Sequence, residues 1–223
     1  MKVHAFPAKS TNKVAEDLQY CLSDRIRSDG YMGVFNPSVF LKDSYKWIYY
    51  VVEWVLTDEE IDFINNLPKP VIPASNWVKF LSRNYKYPAV HHEVNRGFLK
   101  SKPVFKFKGQ FDFFAISYSL IRKTPKYLIR WANRTKHKGI ILADMLVCSQ
   151  IKNPNVRCLD SFGTHDEGVL KAIYMQSKAY IFLSGDEGFG LPPLEATYVG
   201  KPVIAYPTMP YLCLLYTSPS PRD

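Results

Sequence analysis

The 223-residue chain carries a formal net charge of +9 and is 47% apolar, enough length and apolar content for one large domain or two small ones. It has no uncharged apolar run of about 18 residues, which excludes a membrane-spanning helix. The start, MKVHAFPAKSTNKVAEDLQY, lacks the long apolar stretch and small-residue cleavage site of a signal peptide. Basic clusters such as SKPVFKFKG and RTKHKG suit nucleic acid, an anionic membrane or phosphorylated small molecules, and equally a solvated face. The fifteen tyrosines and fourteen phenylalanines follow no RNA-binding spacing and read mostly as core.

In chain order, KVHAFP is predicted as a short strand, and Val14, Leu18, Cys21 and Leu22 give NKVAEDLQYCLSDRI helical spacing. GYMGVFNP reads as a strand and turn, and KWIYYVVEWV as a buried strand. TDEEIDFINNL opens with an N-cap threonine and an acidic first turn, which predicts a helix. KPVIPAS is a strand ending at Ser75, which caps a helix in NWVKFLSRNY, and PAVHHEVNRGF is predicted as a further strand. The basic stretch KSKPVFKFKG, about 99–109, marks a domain boundary.

After it the alternation restarts. QFDFFAIS is a strand, TPKYLIRWANRTK a helix with proline in its first turn, KGIILADML a strand and PNVRCLD a short strand. THDEGVLKAIYMQS is a helix with a threonine cap, KAYIFLS a buried strand, PPLEATYVG a helix and KPVIAY a strand. Such alternation implies parallel sheets covered on both faces. The expected fold is therefore α/β with two Rossmann-like halves and a cleft between them.

The tail CLLYTSPSPRD, Cys213 to Asp223, resembles in all eleven residues the translation of the end of a transposon-type sequencing-library adapter, the alternative being a native Pro/Ser-rich tail. The native sequence is therefore expected to break off near Leu212, and the tail is set aside from fold reasoning. Without Cys213, the remaining Cys21, Cys148 and Cys158 show no CxxC spacing. Neither a zinc site nor a disulfide framework is expected, and a reducing cytoplasm is the expected compartment. The expected organisation is a reduced first domain over 1–100, a second over 101–212, and the foreign tail over 213–223.

The most informative stretch is EGFGLPPLEATYVGKPVIA, Glu187 to Ala205. In doubly wound sheets ligands bind outside the carboxyl ends of strands, and KAYIFLS ends at Ser184 just before this stretch. Gly188 and Gly190 allow the backbone to approach a ligand closely and direct amide hydrogens at it. Pro192 and Pro193 start a helix whose positive end favours phosphate oxygens. Glu187 lies in the loop and Glu195 on the helix, so the two carboxylates could hold opposite ends of one ligand around an anionic centre. That fits a nucleotide-diphosphate sugar; by spacing alone, a plain strand–turn–helix connection with a solvated glutamate fits equally.

The run from Pro154 to Ala205 resembles the donor-binding region of retaining GT-B glycosyltransferases of the family-4 type (glycosyl transferases group 1). The shared pattern is S-x-x-EGFGLP-x-LEA followed by G-x-PVIA, matched by Ser184, Glu187 to Pro192, Leu194 to Ala196, and Gly200 to Ala205. The resemblance implies that Glu187 contacts the donor sugar and Glu195 the ribose hydroxyls. Amides of Phe189, Gly190 and Leu191 would hold sugar and phosphate. Upstream, ISYSLIRKTPKYLI is similar to the family's diphosphate-binding segment, placing Lys123 as the cation that assists departure of the nucleotide. The family's glycine and arginine are replaced by Ser117 and Tyr118, and Arg122 is the candidate substitute for the lost arginine.

More faintly, the sequence from 49 to 98 is similar to the acceptor side of such enzymes, with Ala74-Ser75 standing for a PS pair. Glu53 either faces a cleft or is a paired structural carboxylate, and His91 and His92 read as structural. The resemblance implies an EC 2.4 retaining transferase of the hexosyl type. It would have a nucleotide-sugar donor and a saccharide, lipid-linked or protein acceptor, with no nucleic acid partner. No cofactor or required metal is expected, because no DxD-type pair is placed to hold a metal-bound diphosphate. The expected location is cytoplasmic, with contact at a membrane surface left open. The family's last helix returns across the first domain, so a chain ending here is expected to be poorly stable or inactive. Two other readings compete: a degenerate nucleotide-sugar-binding protein, and a basic nucleic-acid-binding protein whose affinity would fall steeply with salt.

Overall fold

The computed structural model describes residues 2–5, 31–35, 45–50, 56–91, 94–104, 109–119, 124–160, 166–184 and 190–205, with backbone alone for 2–5, 31–35 and 45–47. The helix expected between Asn12 and Ile26, as well as Glu53 and His92, lies outside the described residues. The chain forms two compact units, divided between Asn95 and Arg96.

The first unit holds a four-stranded sheet of β1 (Lys2–Ala5), β2 (Tyr31–Phe35), β3 (Tyr45–Tyr50) and β4 (Val71–Pro73), in that spatial order. All three pairings are parallel. Helix α1 (Asp58–Asn65) begins with a reciprocal capping box: Thr57 Oγ accepts from the Glu60 amide, and the Glu60 carboxylate accepts from the Thr57 amide. It buries Ile61 and Ile64 against Ile48, Tyr50, Val71 and Val78. Ser75 caps α2 (Asn76–Leu81) through a 3.1 Å bond from the Val78 amide to its Oγ.

The strand expected over PAVHHEVNRGF does not form in the described part. Val90 makes a 2.9 Å bond to the Pro73 carbonyl and Tyr49 Oη donates to the Val90 carbonyl at 2.6 Å, while Arg96–Lys100 is helix α3. Phe98 explains the difference. It is fully buried in the second unit, edge-on to Tyr174 at 5.8 Å, so tertiary packing overrides local β-propensity.

The second unit has a five-stranded parallel sheet in the order β7 (Val156–Asp160), β6 (Gly139–Ala143), β5 (Phe111–Ile116), β8 (Ser177–Phe182), β9 (Val203–Ala205). Its helices are α4 (Pro125–Ala132), α5 (Met145–Cys148), α6 (Glu167–Met175) and α7 (Leu191–Tyr198). On one face of the sheet, Phe113, Ala115, Ile141 and Ile181 pack with Leu128 and Ala132 of α4. On the other, Phe114, Tyr174 and Tyr180 form a buried aromatic cluster with centroids 4.8 to 5.4 Å apart. Gly139 opens β6 because a Cβ there would lie 1.9 Å from the Phe113 ring.

Three local expectations change. The strand predicted over KGIILADML stops at Ala143, because Asp144 caps the short helix α5 through the Val147 amide at 3.1 Å. Helix α6 is capped by Asp166, which accepts from the Gly168 amide at 2.7 Å, instead of by Thr164. Cys148 and Cys158 are joined in a disulfide with Cα atoms 5.4 Å apart. Spacing along the chain hides this pair, because the turn between α5 and β7 is what brings the two residues together. The bond removes the cysteine argument for a reducing compartment. Among the described residues, no helix is long and apolar enough to cross a membrane.

Candidate functional site

The order β7-β6-β5-β8-β9 reverses direction once. From β5 the chain moves outward through β6 to β7, then crosses to β8 and β9 on the other side. The carboxyl ends of β5 and β8 flank that switch point, where loops diverge and leave a crevice in open α/β sheets.

Several bonds fix the rim of this crevice. The Ser117 amide after β5 donates to the Leu142 carbonyl at 3.0 Å, and the Ser119 amide donates to Asp144 Oδ2, tying the ends of β5 and β6 together. Burial alone would raise the Asp144 carboxyl, but the amides of Ser119 and Val147 outweigh it and hold the group below its ordinary value. Thr124, at the head of α4, donates its hydroxyl to the Leu183 carbonyl at the end of β8. It adopts φ 45°, a left-handed conformation costly for a β-branched residue. Ser117 is 5% exposed, and its Oγ has no hydrogen-bond partner among the described residues. Such an unpaired buried hydroxyl is an exception to the usual pairing of buried polar groups, and it lies directly after the carboxyl end of β5.

On the β8 side, Gly190 stands at φ 90° as the N-cap of α7, and Leu191 begins the helix half-buried. Only glycine takes that backbone without strain. Glu195, one turn in, is 6% exposed. Its Oε2 accepts from Tyr174 Oη at 3.2 Å, and the same hydroxyl lies 2.9 Å from the Pro192 carbonyl. Burial, then the Glu195 charge, pushes the Tyr174 phenol well up, so it stays protonated and able to donate. Glu195 is therefore a mostly buried carboxylate held on the inner side of α7, where the sequence pattern alone suggests an open one. Tyr174 is the residue that sequence reading missed; it lies on another helix, with no local signal linking it to Glu195.

Glu187, Phe189, Arg122 and Lys123 lie outside the described residues, so Gly190, Leu191 and Glu195 are the candidate site residues with a described position. Ser117 and Tyr118, where the sequence departs from the family pattern, lie at the crevice rim, buried and half-buried respectively. His91 lies in the first unit, its imidazole pKa pushed down by burial. Among the described residues, no group of three histidine, cysteine, aspartate or glutamate side chains could hold a metal ion.

The fold is of the GT-B type. AviGT4, a glycosyltransferase involved in avilamycin A biosynthesis, superposes with TM-score 0.55 at 12% identity, over 85% of this chain and 58% of its own. Sucrose-phosphate synthase from Thermosynechococcus elongatus gives 0.55 at 13% identity, over 88% and 59%. A UDP-forming trehalose-phosphate synthase from Burkholderia xenovorans gives 0.52 at 9% identity, over 87% and 62%. The chain thus spans about three fifths of each of these structures. Residues 159–214 match the family model for glycosyl transferases group 1, a stretch that contains α6, β8, the glycine turn, α7 and β9. A comparison with curated proteins finds no match.

Proposed function

We propose that the chain is a GT-B glycosyltransferase of the retaining, family-4 type, taking a nucleotide-diphosphate sugar as donor. The observation that carries this reading is where the family match falls. It covers the glycine-rich segment and the helix that follow β8, beside the sheet's switch point, with Gly190 in the left-handed conformation at the helix start. In this reading Glu195, oriented by Tyr174, accepts from ribose hydroxyls at the small part of its surface left open. Glu187 holds the sugar, and the amides of Phe189, Gly190 and Leu191 hold sugar and diphosphate. Lys123, with Arg122 beside it, places positive charge where the departing diphosphate gains negative charge, which lowers the barrier most if the donors are fixed beforehand. No metal takes part. The acceptor is a saccharide, a lipid-linked sugar or a protein.

The test is incubation with UDP-, GDP- and ADP-sugars, with proton NMR following the anomeric signal. Release of nucleotide with an α-linked product from an α-linked donor supports retention. Inverted product rejects the retaining mechanism. Nucleotide binding without turnover favours a degenerate binding protein, which the replacement of the family's arginine by Tyr118 would explain. Tight, steeply salt-dependent nucleic acid binding with no nucleotide affinity would replace the proposal altogether.

A further inference from the structure

The first unit carries a second candidate site, on the opposite edge of its sheet from the carboxyl ends. A cavity of about 200 Å³ lies between the end of α1, the start of β4 and the segment after α2. Val71, the first residue of β4, forms part of its wall, so the cavity opens at the amino-terminal edge.

Its polar lining is one-signed. Lys69, Arg83 and Lys86 contribute three cations, Tyr85 and Tyr87 two phenols, and none of the residues lining it is a carboxylate. The frame around them is rigid. Asn65 Nδ2 donates to the Ser82 carbonyl at 3.0 Å, Asn84 Nδ2 to the Val71 carbonyl at 3.4 Å, and the Lys86 amide to Asn84 Oδ1 at 3.3 Å. The two asparagines thus tie down the segment Arg83–Tyr87, which together with Lys69 lines the cavity. Lys79 lies 5.9 Å from the Tyr85 ring and Lys86 5.6 Å from the Tyr87 ring, distances at which cation and ring attract. Tyr85 is 63% exposed, an aromatic surface left at the mouth.

Arg83 adds an independent observation. It terminates α2 with φ 49°, in the left-handed position after a helix end that glycine or asparagine fills at far lower cost. An arginine there carries about 1–2 kcal/mol of backbone strain. Its ion pair with Asp58, at 3.2 Å, joins side chains 65% and 79% exposed, and exposed pairs contribute little. Folding alone therefore does not favour arginine at this position; an anion in the cavity would.

We infer that this cavity is a binding site for a phosphate-bearing ligand, a phosphomonoester or pyrophosphate group, with the tyrosines stacking on whatever the phosphate is attached to. Its volume has room for a pyrophosphate-sized group, since a water molecule occupies about 30 Å³. The same chemistry is offered by a free phosphorylated metabolite and by the headgroup of a phospholipid. The inference stands independently of the glycosyltransferase proposal, because none of its residues lies in the second unit.

The test uses the full 223-residue chain. Inorganic pyrophosphate is titrated calorimetrically, and sedimentation compares phosphatidylcholine vesicles with vesicles containing phosphatidic acid. Each is repeated with Arg83→Gly and with Lys69→Ser combined with Lys86→Ser. Arg83→Gly relieves the backbone strain, so it keeps the fold while deleting the guanidinium. Because the candidate donor site can also take pyrophosphate, the quantity read is the loss of one class of sites. Pyrophosphate affinity falling at least about tenfold in both variants supports a metabolite site. Binding confined to phosphatidic acid vesicles and lost in both variants supports a headgroup site. No binding to either probe, or binding that both variants leave unchanged, overturns the inference.

Discussion

The two described sheets differ in strand order, and the two proposed binding sites follow that difference. In the first unit the described strands follow one another in sequence order, β1 to β4, always moving the same way. In the second the order turns back at β5, so α4, after β5, and α7, after β8, pack on opposite faces of the sheet. Both sheets are parallel. Such a reversal opens a crevice at the carboxyl edge of an α/β sheet, and the match to glycosyl transferases group 1 takes in β8, α7 and β9 beside it. The first unit instead offers its basic cavity at the amino edge.

Four substitutions probe each unit by itself. Gly139→Val has the largest expected effect. It drives a side chain into the Phe113 ring, which Trp131 holds edge-on at 4.6 Å. Overpacking of this kind costs about 1–3 kcal/mol, and denaturant melts of the second unit would report it. Lys171→Met comes next. The ammonium donates to the carbonyls of Phe98, Leu99 and Ser101 at 3.0 to 3.1 Å, closing the end of α3. Its loss costs about 1–3 kcal/mol and speeds hydrogen exchange across residues 96–101 first.

Thr57→Ala removes the capping box of α1 and costs about 1 kcal/mol, with faster exchange confined to residues 58–65 of the first unit. The smallest effect is that of Asp144→Asn. Asp144 has its folded-state pKa depressed, so its contribution is present above the ordinary carboxylate range and is lost as the pH falls through the lower folded value. The variant should show a shallower loss of stability below about pH 4, with unchanged slope at neutral pH. If Gly139→Val left the second unit's melt unchanged, the packing described around Phe113 would be wrong.

Much of the second unit was legible in the sequence. Its strands are short β-branched or aromatic runs flanked by turn residues, and both are local signals. The capping box of α1 was legible for the same reason, since Thr57, Asp58, Glu59 and Glu60 are consecutive. What could not be read depended on distant partners. The Arg96–Lys100 helix forms because Phe98 finds Tyr174, and the Cys148–Cys158 bond forms where α5 and β7 meet. At the candidate site, a glycine before a helix opened by Pro192 and Pro193 followed from composition, one residue after the helix's actual start at Leu191, whereas the burial of Glu195 against Tyr174 depends on how α6 packs under α7. The Asp144 cap could have been found, since an aspartate directly after an apolar strand and before MLVC is a helix-start signal.

The most direct measurement is calorimetric titration of UDP, GDP and ADP into the protein and into Glu195→Gln. The proposed site requires that one nucleoside diphosphate bind and that its affinity fall about 10- to 100-fold in the variant, the range for a hydrogen bond to a charged group. Equal affinity in both proteins, or no nucleotide binding by the unaltered chain, would contradict a donor site at the head of α7.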